Sequence, residues 1–182
     1  LVLKSPTHSC RIRHLLELFP EARFVHIVRD PYVVFPSTVN LWKSLYETHG
    51  LQKPTFAGLD EYVFTTFTHL YAKLEEGKRL IPPGQFHELR YEDLVRDPVG
   101  EMRRLYERLG LGGFEAVRPR LEAYAAAHRD YKTNCYALTP ERREEISRRW
   151  GDVIRRYGYV TEAVAAAGPP AVTAAAVPQP PG

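Results

Sequence analysis

Arg23-Phe24-Val25-His26-Ile27-Val28-Arg29-Asp30-Pro31 changes character partway along. Phe24 to Val28 is an apolar, β-branched run of the kind that fills a central parallel strand. Arg29-Asp30-Pro31 then reads as a helix start. Asp30 can cap the free N–H groups, and Pro31 suits the first helical position, where its missing N–H is no loss. A strand that runs directly into a helix is the elementary unit of an α/β layer.

Working outward, Leu1 to Lys4 predicts a short buried strand, and His8 to Leu18 a helix with Leu15 and Leu18 on one side, stopped by Phe19-Pro20. Downstream, the helix that begins at Pro31 is expected to pass Trp42 and Tyr46 and give way near Gly50. Asp60 is expected to cap a second long helix through Tyr62, Phe64, Phe67, Leu70 and Leu74, and Pro82-Pro83-Gly84 to force a turn. Phe86 to Leu89 is a further strand. Helices follow at 99–109, 115–127 and 140–156, the last with Trp150 and Tyr157 on its apolar side. Strands alternating with helices predict an α/β protein with a mainly parallel sheet, whose ligands bind beyond the carboxyl ends of the strands. One domain is expected over residues 1–160. Residues 161–182 turn to Ala, Pro and Val with almost no charge and read as a disordered tail without catalytic role.

The 182 residues are 44% hydrophobic, enough to bury a core. Twenty-five Lys and Arg against twenty-two Asp and Glu give a net charge of only +3, spread along the chain, which argues against a nucleic-acid partner. Cys10 and Cys135 lack C-x-x-C spacing and read as free thiols. No apolar run reaches the roughly 18 residues of a membrane span, and no signal peptide is visible, so a soluble, cytoplasmic protein is expected. The chain opens on Leu1 rather than Met, in a strand-like run, which predicts a segment lost upstream. His14, His49, His69 and His87 have no metal-ligand spacing and read as surface or packing residues.

The strand 24–28, Arg29 at its carboxyl end and Ser37 eight residues beyond form the constellation richest in chemistry. An arginine there points five fixed donors into the ligand crevice, where they can chelate a phosphate. A serine two turns into the following helix adds a hydroxyl on the same side. The bland alternative pairs Arg29 with Asp30 or another carboxylate and leaves Ser37 solvated.

The run Phe19-Pro20-Glu21-Ala22-Arg23 through Arg29-Asp30-Pro31, with Ser37 beyond it, resembles the 3′-phosphate-binding signature of PAPS-dependent sulfotransferases, in the Arg-Asp-Pro form of the bacterial-type family. The resemblance implies that Arg29 and Ser37 hold the donor's 3′-phosphate. Leu3-Lys4-Ser5-Pro6-x-His8 resembles the family's segment leading to the sulfuryl centre. Transfer needs a base for the acceptor's proton and a cation for the charge growing on the bridging oxygen, which makes His8 the candidate base and Lys4 the candidate stabiliser. Solvation of Lys4 and a helix-capping role for His8 are the competing readings. In Arg90-Tyr91-Glu92-Asp93-Leu94 the resemblance makes Tyr91 a candidate adenine contact, against a packing role. Glu92 and Asp93 read as helix-start acids. The loop 127–134 offers Arg129 and Lys132 as weaker candidates for closing over the 3′-phosphate, because the family's usual Arg-Lys-Gly order is absent.

No Gly-rich strand-to-helix loop ending in Lys-Ser or Lys-Thr occurs, and Gly112-Gly113 follows a helix. PAPS-dependent enzymes need such a loop near the N-terminus, so the resemblance implies a P-loop-type three-layer α/β/α domain with its N-terminal strand and phosphate loop missing. Such a chain is expected to turn over slowly or not at all alone. The implied function is sulfuryl transfer from PAPS to a hydroxyl or amine acceptor, with PAP as product and no metal required. A nucleotide-kinase-like P-loop enzyme and a non-catalytic PAP-binding domain are the alternatives. Tyr46, Phe56, Tyr62 and Phe67 suit a carbohydrate or aromatic acceptor, or simply a core.

Overall fold

The computed structural model describes residues 1–129 and 136–159. Strands β1 (Phe24–Val28) and β2 (Phe86–Arg90) pair in parallel, in register from Phe24 opposite Phe86 to Val28 opposite Arg90. Between them run α2 (Pro31–His49) and α3 (Leu59–Lys78), the helical crossover a parallel pair requires. Helix α1 (Ile12–Leu18) precedes β1. After β2 come α4 (Tyr91–Arg96), α5 (Pro98–Arg108), α6 (Phe114–Ala127) and α7 (Pro140–Arg156).

Side chains alternate across a strand, so each face of the sheet selects its own partners. Val28 and Phe24 join the main core with α2, α3 and α7. Leu89 points the other way and forms a second cluster with Leu105 and Leu109 around α5. Helices thus lie on both faces, as the alternation of elements predicts. The main core centres on stacked rings: Phe35 on Phe64 at 4.4 Å and Phe67 on Trp150 at 3.8 Å between centroids. The Trp150 indole N–H donates to the Phe64 carbonyl at 3.2 Å, so the buried ring leaves no orphan donor.

Helix α2 begins as its sequence dictates. Pro31 holds the first position, and the Asp30 carboxylate accepts from the Tyr32 N–H at 2.8 Å. Elsewhere the structure corrects the expectations. Leu1 to Lys4 is not a strand, and Leu1 and Val2 are fully exposed, since among the described residues nothing pairs with their backbone or covers their side chains. The helix expected from His8 breaks at Arg11 (φ −121°), with a 3₁₀ helix Pro6–Cys10 before the break. Gly58 (φ 77°), not Asp60, caps α3; Asp60 lies inside the first turn and binds Arg142 of α7 at 2.6 Å. Strand β2 extends one residue further than expected, to Arg90.

Cys10 is a free, exposed thiol; Cys135 and the Ala/Pro-rich segment 161–182 lie outside the described residues. No helix among the described residues is long and apolar enough to cross a membrane.

Candidate functional site

The strand register decides what meets at the carboxyl ends. Val28 is opposite Arg90, so the next residues, Arg29 and Tyr91, leave the sheet side by side. The Arg29 guanidinium lies over the Tyr91 ring, 4.4 Å from its centroid. Both residues are half-buried, and no hydrogen bond or ion pair engages Arg29 among the described residues. Its donors are therefore available, on a side chain in contact with the tyrosine ring.

The backbone behind Arg29 is braced. Asp30 N–H donates to Glu92 Oε1 at 3.0 Å, and Glu92 Oε2 accepts from the Tyr159 hydroxyl at 2.7 Å. Arg90 stacks on Tyr159 at 4.3 Å, and its Nε stands 4.0 Å from Glu92. Burial of Asp30 raises its carboxyl pKa, opposed by the hydrogen bond from Tyr32 and reinforced by Glu92.

The other predicted residues are placed more loosely. Ser37 is half-buried in the second turn of α2, without a side-chain hydrogen bond among the described residues. Lys4 is exposed before the 3₁₀ helix. His8 lies within that helix, its Nδ1 buried and without a hydrogen-bond partner. Arg129 is exposed just after α6, and Lys132 lies outside the described residues. Of the candidates, the structure brings Arg29 and Tyr91 into contact; no contact joins Lys4, His8 or Arg129 to that pair.

Two arrangements escaped the sequence reading. One is the Glu92 brace. The other sits at mid-strand, where His26 and Glu88 are register partners and their side chains meet at 2.8 Å. Lys78 of α3 reaches Glu88 at 2.6 Å, and the Tyr157 hydroxyl donates to it at 3.0 Å. Burial opposes ionisation of Glu88, but hydrogen bonds from His26 and Lys78 outweigh it and bring the pKa down to about 2. The available signal was His26 at the centre of the apolar run 24–28, where burial demands a partner.

Parallel strands with helices on both faces define an α/β protein, and Arg29 leaves an open cation at the carboxyl end of β1. The chain belongs to the sulfotransferase family, whose model matches residues 1–116. It is 60% identical over 159 residues to the omega-hydroxy-beta-dihydromenaquinone-9 sulfotransferase Stf3 of Mycobacterium bovis, covering 87% of this chain and 41% of that protein. It is 32% identical over 111 residues to human carbohydrate sulfotransferase 6, covering 56% of this chain and 27% of the relative. The crystal structure of the sulfotransferase STF9 from Mycobacterium avium superposes with a TM-score of 0.66 at 25% identity, over 85% of this chain and 41% of that one. The chain thus spans about two fifths of the length of Stf3.

Proposed function

We propose that the protein transfers a sulfuryl group from PAPS to a hydroxyl or amine acceptor, and that this chain carries the 3′-phosphate side of the donor site. The carrying observation is the Arg29–Tyr91 stack at 4.4 Å: a guanidinium with open donors beside an aromatic plane, at the carboxyl ends of two parallel strands. That pair fits a ligand combining a phosphate with a purine. Arg29 takes the 3′-phosphate in its donor fork, Ser37 adds a hydroxyl donor, and the ring face of Tyr91 turned away from Arg29 packs against adenine.

In the transfer step the acceptor oxygen or nitrogen forms a bond to sulfur as the bond from sulfur to the bridging phosphate oxygen breaks. His8 accepts the acceptor's proton, and Lys4 offsets the charge growing on the bridging oxygen, so that PAP leaves as the anion. Arg129 serves as a secondary contact to the 3′-phosphate. A cytoplasmic setting suits the free thiol of Cys10.

A hydroxyl on a largely apolar molecule is the favoured acceptor. The name of the 60%-identical relative specifies a hydroxylated menaquinone derivative. Trp42, Tyr46 and Tyr62 here form an aromatic group, with centroids 5.6 and 5.8 Å apart, that includes the exposed Tyr46 and Tyr62.

Calorimetric titration of PAP, with AMP as the control lacking a 3′-phosphate, tests the donor site. PAP binding that AMP does not match and that Arg29→Ala abolishes supports it. Equal binding of PAP and AMP, or indifference to Arg29→Ala, overturns it.

A further inference from the structure

We propose that Glu92 is the positioning residue of the 3′-phosphate site, one carboxylate that holds Arg29 and Tyr91 in a fixed relation. This rests on the donor site proposed above. Arg29 sits where β1 turns into α2, and a guanidinium at the end of a flexible stem is only as well aimed as the backbone beneath it. Asp30 cannot supply the brace across to the other strand, because its side chain is engaged in capping α2 through the Tyr32 N–H at 2.8 Å. Glu92 supplies it: Oε1 accepts the Asp30 N–H at 3.0 Å. Its other oxygen accepts from Tyr159 at 2.7 Å, which ties the carboxylate to the segment following α7. Asp30 adjoins Arg29 and Glu92 adjoins Tyr91, so this single bridge fixes both members of the stack at 4.4 Å.

The sign of the effect separates positioning from electrostatics. Glu92 is an anion near a site for an anion. If it acted through its charge alone, removing that charge would strengthen PAP binding, and Glu92→Gln and Glu92→Ala would do so equally. A positioning role requires the reverse for alanine, while glutamine, whose side-chain carbonyl can still accept the Asp30 N–H, stays near wild type.

The experiment titrates PAP into the wild-type chain and into Glu92→Ala, Glu92→Gln, Tyr159→Phe and Arg29→Ala, and follows hydrogen exchange of the Asp30 amide by NMR without ligand. Glu92→Ala is expected to weaken PAP binding ~10-fold and Glu92→Gln no more than ~2-fold, with Tyr159→Phe between them. The Asp30 amide should exchange ~10-fold faster in Glu92→Ala while the other β1 amides keep their protection. PAP binding unchanged or tighter in Glu92→Ala, or an unaltered Asp30 amide, overturns the proposal. Should Glu92→Ala fail to fold, Tyr159→Phe carries the test, and its Asp30 exchange must rise. If Arg29→Ala leaves PAP binding intact, the donor site is what fails, and the Asp30 amide alone then decides whether Glu92 holds the turn.

Discussion

Two polar clusters sit on the same pair of strands and differ in what their charges have left to do. At mid-strand, Glu88 accepts from His26, Lys78 and Tyr157 at 2.8, 2.6 and 3.0 Å, and Lys78 also reaches Glu75 at 3.0 Å. Every charge there meets a partner, and together they tie the sheet to α3 and to the end of α7. One residue past the strand end, Arg29 makes a ring contact and no hydrogen bond or ion pair among the described residues. A half-buried charge that the protein completes itself supports the fold, and one it leaves open is available to a ligand.

The largest expected effect tests that division at its open end. Arg29→Ala should lower PAP affinity by ~100-fold or more, because a charge-assisted fork is lost. Unfolding stability should change by no more than about 1–2 kcal/mol, the worth of one half-buried cation–π contact. Arg29→Lys should recover little of the affinity, since a point charge does not reproduce the fork. A large loss of stability in Arg29→Ala, measured by urea denaturation, would place Arg29 with the structural cluster and break the comparison.

Glu88→Ala is the mirror experiment. Removing the shared acceptor leaves Lys78 and Tyr157 underpaired and should cost about 2 kcal/mol of stability, with PAP affinity of the folded protein unchanged. The pH dependence follows with a definite sign. Glu88 is depressed from 4.5 to about 2, so its contribution is complete above pH 4.5 and is lost as the pH falls from there toward 2. For Asp30 the pKa is raised by burial, so the unfolded chain ionises first as pH rises through 3.8; the folded state carries a penalty at neutral pH that is relieved on acidification. Urea midpoints between pH 3 and 7 should therefore show less acid loss in Glu88→Gln and more in Asp30→Asn than in wild type. The same direction of change in both variants would refute the assignment of opposite signs.

The backbone course of this site was legible, because strand 24–28, the Asp30 cap and Pro31 are local signals that need no partner element. Helix α3 shows where locality ends. Asp60 has the right chemistry for a cap, but Arg142, 82 residues away, claims its carboxylate, and Gly58 takes the left-handed turn. Leu1 to Leu3 has strand composition, yet an apolar run becomes a strand only against a neighbour, and none is present among the described residues. Glu92 was hardest to assign. A helix-start acid looks the same in sequence whether it faces water or, as here, bridges Asp30 and Tyr159 across three separate elements.

The smallest expected effect concerns Ser37, which sharpens how the open end is divided. Ser37 lies seven residues beyond Asp30, a separation of almost two full helical turns, so its side chain leaves α2 on the same side as the Asp30 position and about 10 Å further along. Its hydroxyl has no side-chain hydrogen bond among the described residues, so a phosphate held in the fork of the long Arg29 side chain would find that donor open. A single hydroxyl donor to a phosphate oxygen is worth about 1 kcal/mol, so Ser37→Ala should weaken PAP binding ~5-fold and leave AMP binding untouched. If PAP and AMP weaken together, Ser37 contributes through the shape of α2 rather than through the 3′-phosphate. If neither changes, the 3′-phosphate rests on Arg29 alone, and the double variant should behave as Arg29→Ala does by itself.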